Sequence, residues 1–193
     1  MILPIYLYGN PVLRNKGKDI SSDYPNLKQL ISDMFETMYA AKGVGLAAPQ
    51  IGLNINLFIV DASPFAEDDE DDDTMSDAER EKLSAFKKVF INARIEREEG
   101  DEWKFNEGCL SIPGIREDVM RKPIITISYM DENFVSHTET FDGIVARIIQ
   151  HEYDHTQGIL FVDKISSFRK KMIAKKLKDI ENGLITPKYK FKL

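Results

Sequence analysis

The chain has 193 residues, 42% hydrophobic and 30% charged, with one cysteine; it is long enough to bury a core of its own and has no second thiol for an internal disulfide. No apolar run reaches the ~18 residues of a membrane span, and the opening MILPIYLYGNP lacks the basic segment and small-residue cleavage site of a secretory leader. A cytoplasmic protein is therefore expected, one domain over residues 1–193, with neither a membrane nor DNA as partner. The net charge of −6 is local, because EDDEDDD at 67–73 carries −7 while residues 164–193 carry +8.

Apolar residues at Leu27, Leu30, Ile31, Met34, Phe35 and Met38 recur at the helical period and predict an amphipathic helix that Gly43 stops. INLFIV (55–60), KVFINARIE (88–96) and IITISYM (124–130) read as buried strands. DEN at 131–133 suits a turn into FVSHTETF (134–141), so IITISYM and FVSHTETF are expected to pair as an antiparallel hairpin. Between Asp61 and Phe86 the apolar pattern lapses. The acidic run predicts a solvated surface insertion at about 62–86, in which SDAE (76–79) opens a short helix as a capping box.

DGIVARIIQHEYDH (142–155) predicts a second helix, on which Ile144, Ile148, His151 and His155 fall within about 60° of one another, with Glu152 on the flank. SSFRKKMIAKKLKDIENG (166–183) predicts a basic amphipathic helix with Phe168, Met172, Ile173, Leu177 and Ile180 inward, Ser166 or Ser167 as cap and Gly183 as stop. Its outer cations, Arg169, Lys170, Lys171, Lys175, Lys176 and Lys178, form either a solvated face or a surface that binds phosphate groups without specificity.

His151-Glu152-x-x-His155 places two imidazoles one turn apart, where they share a metal, and sets a carboxylate beside the water that the metal would activate. A third ligand must come from elsewhere. Gly158 fits the extended form of the motif, but that form needs a histidine where Phe161 stands. Glu181 lies far downstream in the basic helix, and His137 sits at a solvent-facing position of a predicted strand. Cys109, in EGCLSIPG between a glycine and a proline turn, is either a thiolate ligand or a small buried hydrophobe.

GVGLAAPQIG (43–52), EGCLSIPG (107–114) and HEYDH (151–155) resemble, in this order, the three signature motifs of peptide deformylase. GNPVLR near the start and DMFETMYA (33–40) extend the resemblance over most of the chain except the acidic insertion. The chain departs from the pattern at Thr156 and Gln157, where the family usually has leucine and an acidic residue, and at Ala93, where it often has proline; none of these is a ligand position.

The resemblance implies an α+β fold, antiparallel sheets surrounding a central metal-binding helix, with a C-terminal helix. It implies a hydrolase that removes the formyl group from N-formylmethionyl nascent polypeptides and releases formate. Cys109, His151 and His155 would hold the metal, Fe2+ natively, with Zn2+, Ni2+ or Co2+ able to replace it. Glu152 would take the proton from the metal-bound water, and Gln50 and the Leu110 N–H would stabilise the oxyanion. Val44, Gly45, Gly108 and Arg116 match substrate-contacting positions. Ile144 and Ile148 bring apolar side chains near the metal, where with Phe105 and Val44 they would form a pocket suited to an unbranched thioether. The main rival is a zincin-type metallopeptidase, which predicts a downstream third ligand; a cysteine hydrolase would survive chelation, and a noncatalytic binding module would survive loss of Glu152.

Overall fold

The computed structural model describes residues 1–67 and 75–193. Most of the acidic run therefore lies outside the described residues, and with it the expectation of a solvated loop there. On either side stand α-helices at Ser63–Glu67 and Asp77–Ala85. The second of these opens on the Ser76 half of the expected capping box, Ser76 accepting from the Glu79 N–H.

The chain opens with β1 (Ile5–Tyr6), followed by α1 (Leu27–Ala40), β2 (Gly45–Ala47) and β3 (Leu57–Asp61). After the helices around the acidic run, α2 (Ser63–Glu67) and α3 (Asp77–Ala85), come β4 (Lys87–Glu99), β5 (Trp103–Cys109), β6 (Ile112–Arg121), β7 (Ile124–Met130) and β8 (Ser136–Asp142). Then follow α4 (Gly143–Thr156), α5 (Ser167–Glu181) and β9 (Phe191–Lys192).

β2, β3, β4, β7 and β8 form a five-stranded antiparallel sheet in that order, with β7 and β8 paired from Ile124↔Asp142 to Met130↔Ser136 as the predicted hairpin. Side chains of a strand alternate between faces, and β3 uses both. Phe58 and Val60 join α4 residues Val145, Ala146 and Ile149 in one cluster. Leu57 and Ile59 join Ile31, Met34 and Met38 of α1 in another. The sheet is thus packed between α1 and α4, and α4 is held by a face bearing no metal ligand.

Two details differ from expectation. α1 stops before Gly43: the left-handed residue after it is Lys42, with φ 56°, while the Gly43 N–H returns to the Met38 carbonyl. α5 turns only Ile173, Leu177 and Ile180 inward. Phe168 and Met172, expected on that face, are 68% and 61% exposed, because the helix meets the body along a narrow stripe spaced i, i+4, i+7. Gly183 stops the helix at φ 71°, as expected.

The site depends on two pairings that hydropathy does not reveal. β5 and β6 form a separate antiparallel hairpin whose register shifts between Gly108 and Cys109. β9 runs parallel to β1, with Ile5↔Phe191 and Tyr6↔Lys192 opposite each other.

Candidate metal centre

Cys109 is the last residue of β5, where the register shift pairs it with Ile112 at the neck of the hairpin, and His151 and His155 project from one side of α4. Their ligand atoms all lie within 4.8 Å of one another, with Cys109 Sγ 3.3 Å from His155 Nε2. His151 Nδ1 is 2.9 Å from Glu107 Oε2, which leaves Nε2 for an ion. His155 is buried, and its Nδ1 has no hydrogen-bond partner among the described residues. One thiol and two imidazoles are a donor set for a borderline divalent ion, and three protein donors leave a coordination position open, as catalytic sites do. His137, bound to Asp131 at 2.7 Å, and Glu181, bound to Lys178 at 2.9 Å, stand outside this cluster.

Glu152 is buried beside the cluster, and its Oε2 has no partner among the described residues. Burial pushes its carboxyl up to about 7, the range in which a group both takes and returns protons near neutral pH. Gly45 explains how it fits: a Cβ at Gly45 would lie 2.5 Å from Glu152 Oε1. Gln50, on the 3₁₀ turn Ala48–Ile51, accepts from the Ala47 N–H at 2.8 Å and donates to Ser111 Oγ at 3.2 Å. Its amide nitrogen is thereby held 3.6 Å from Cys109 Sγ.

A cavity of about 770 Å³ opens onto the centre and is lined by Val44, Gly45, Gln50, Phe105, Gly108, Leu110, Arg116 and Ile148, together with Cys109, His151 and Glu152. Arg116 is exposed and braced by Asn106, its Nε donating to Oδ1 at 2.9 Å and Nη2 to the carbonyl at 2.7 Å. Ile144 is not among the lining residues; it packs against the core cluster beneath α4.

Sequence reasoning missed the ionic support beneath the ligands. Glu107, 4% exposed, accepts from Arg121 Nε at 2.7 Å and Nη2 at 3.0 Å, from Arg147 Nη1 at 3.0 Å, and meets His151. Arg121 also donates to Asp154 at 2.7 Å. Burial alone would raise the Glu107 carboxyl, but its bonds with His151 and Arg121 outweigh that and hold it well below the usual carboxylate range. The available signal was Arg147, four residues before His151 on the same apolar side of α4: a cation there needs an anion nearby. Also missed were Ser111 and the segment 185–189, which walls the cavity from beyond α5.

A thiolate and two histidines around an open position, with a buried carboxylate next to the first histidine, define a metal-dependent hydrolase. The family model of polypeptide deformylase matches residues 2–171. The peptide deformylase of Flavobacterium johnsoniae is 58% identical over 192 residues, covering 100% of this chain and 96% of its own, and that of Cytophaga hutchinsonii is 47% identical over 100% and 97%. Among solved structures, a peptide deformylase from Synechococcus elongatus in complex with actinonin superposes with a TM-score of 0.74 at 40% identity, covering 90% of this chain and 87% of that one. One from Legionella pneumophila gives 0.76 at 34%, covering 97% and 100%. The chain belongs to the polypeptide deformylase family.

Proposed function

We propose that this centre hydrolyses the formyl amide at the N-terminus of formylmethionyl polypeptides, releasing formate. The observation that carries the reading is Glu152, a buried carboxylate with an oxygen unpartnered among the described residues, beside a three-donor cluster that leaves a position open. A divalent ion held by Cys109, His151 and His155 supplies Lewis acidity toward water and the formyl oxygen. Fe2+ is proposed as the native ion from the family resemblance; the donor set also suits Zn2+, Ni2+ and Co2+.

Glu152 takes a proton from water and returns it to the departing amine, and its raised pKa suits both transfers. The Gln50 amide and the Leu110 N–H donate to the oxyanion, the former already fixed by Ala47 and Ser111. Val44, Gly45 and Gly108 offer backbone to an extended substrate, and Arg116 contacts it further out. Ile148, Phe105 and Val44 receive the thioether side chain.

Glu152→Ala is expected to keep its metal and lose about 10²- to 10⁴-fold in formate release from a formylmethionyl peptide. Cys109→Ala should lose its metal. Retained metal in Cys109→Ala, or cleavage of internal peptide bonds, would favour the zincin-type metallopeptidase instead. A second element of the proposal is docking of α5 on ribosomal RNA. Arg169, Lys175 and Lys178 are engaged by Glu117, Asp179 and Glu181, which leaves Lys170, Lys171 and Lys176 as exposed cations outside those pairs. Reversal of these three charges should abolish co-sedimentation with ribosomes, and unchanged co-sedimentation would exclude docking by this face.

A further inference from the structure

The segment between α5 and β9 crosses the mouth of the cavity, where Ile185, Pro187 and Tyr189 line it. It is anchored immediately beyond Tyr189, where the Ile5 N–H donates to the Lys190 carbonyl at 3.0 Å and the Leu7 N–H to the Lys192 carbonyl at 2.8 Å. The half-buried Tyr189 ring packs against the core, and its hydroxyl donates to the Leu110 carbonyl at 2.5 Å. That carbonyl belongs to the peptide whose other end is the Ser111 N–H, and this N–H donates to Cys109 Sγ at 3.4 Å. The Ser111 carbonyl is held in turn by the Tyr8 N–H at 2.8 Å.

We propose that Tyr189 is a positioning residue for the thiolate ligand, acting through the Leu110–Ser111 peptide, with its hydroxyl on the carbonyl and Cys109 Sγ on the N–H of the same amide. A hydrogen bond to a carbonyl polarises its amide and strengthens the N–H as a donor, by roughly 10–30% per bond in a linked chain. A stronger N–H···S bond withdraws electron density from the sulfur, as hydrogen bonds around a metal-bound sulfur do. The same bond holds the turn that carries the Leu110 N–H, the proposed oxyanion donor. Burial, and after it Cys109, keeps the Tyr189 hydroxyl protonated well above its ordinary range, so it stays a donor.

This inference rests on the metal reading of the centre, and the test separates the two. The apoprotein is loaded with Co2+ and its sulfur-to-cobalt charge-transfer band recorded for wild type, for Tyr189→Phe and for protein in which 3-fluorotyrosine replaces Tyr189. Loss of the hydroxyl makes the thiolate more electron-rich, so the band of Tyr189→Phe moves to longer wavelength, while the more acidic fluorophenol moves it to shorter wavelength. In the same variant kcat falls about fivefold with KM unchanged, the size of one lost neutral hydrogen bond. A band that stays in place in both variants overturns the role of Tyr189 and leaves the metal centre standing. A wild-type protein with no such band overturns the metal reading and this inference together. A Tyr189→Phe protein that does not fold is replaced by the fluorotyrosine protein, whose unmoved band refutes the proposal by itself.

Discussion

Replacing Glu107 by Gln keeps the side chain's size and removes its charge from beneath His151. The carboxylate is 4% exposed, and Arg121, Arg147 and His151 converge on it within 3.0 Å. Breaking a buried ion pair on one side costs about 3–5 kcal/mol; a glutamine oxygen still accepts one of these bonds, which places this change near the lower end. At 2–4 °C per kcal/mol for a chain of this size, the melting temperature should fall by about 6–12 °C. The orientation of His151 is lost as well, so affinity for Zn2+ should drop about 10- to 100-fold. The carboxyl lies below the ordinary 4.5 in the folded protein, so its stabilisation is in place above that value and is lost as pH falls through the folded one. The gap between wild type and Glu107→Gln is thus full at pH 7 and begins to close below about pH 4.5. Thermal melts at pH 7 and pH 4, with competitive Zn2+ titration, measure both effects. A variant that melts within 2 °C of wild type at pH 7 and binds Zn2+ equally well would refute the idea that this network supports the metal centre.

Gly45→Ala should retain its metal but lose at least about 100-fold in kcat, because a Cβ 2.5 Å from Glu152 Oε1 displaces the carboxylate; normal turnover would show that Glu152 tolerates the shift. Ile148→Ala should reduce the preference for formylmethionyl over formylalanyl peptides by about tenfold or more in kcat/KM, since Ile148 lines the cavity beside His151. An unchanged ratio would remove Ile148 from the pocket. Phe58→Ala should cost about 3–5 kcal/mol in urea unfolding, because Phe58 stacks on Phe90 at 4.7 Å with both rings fully buried; a loss under 1 kcal/mol would contradict the close packing of this sheet face.

The elements whose burial follows a simple period were legible in the sequence. α1 and α4 appear where apolar residues recur every three or four positions, and β7 spans the seven residues of IITISYM. The β5–β6 hairpin was not legible, because its buried positions do not spell an apolar alternation: Glu107, Glu117 and Arg121 all point inward and satisfy one another or partners on α4 and α5. β1 and β9 are two residues each, too short to carry a period. Of the site, the motif residues were legible because their chemistry is local to a few positions. Arg121 and Tyr189 were not, since each works through a backbone or carboxylate brought near only by folding. Phe168 and Met172 show the opposite error, where a hydropathic stripe is wider than the surface available to bury it.

The pairing of β1 with β9 joins residues 186 positions apart in the chain, Ile5 with Phe191. Contacts of such separation form late, because a long loop must close before they stabilise anything. During synthesis the ribosome releases α4, with both histidines and Glu152, while residues 185–192 are still inside the exit tunnel or not yet made. A chain at that stage can collect its three ligands but lacks one wall of its cavity. Under the proposed reading, a protein that acts on the first residue of other chains reaches its own working shape only after residues 185–192 have emerged and paired with its first strand.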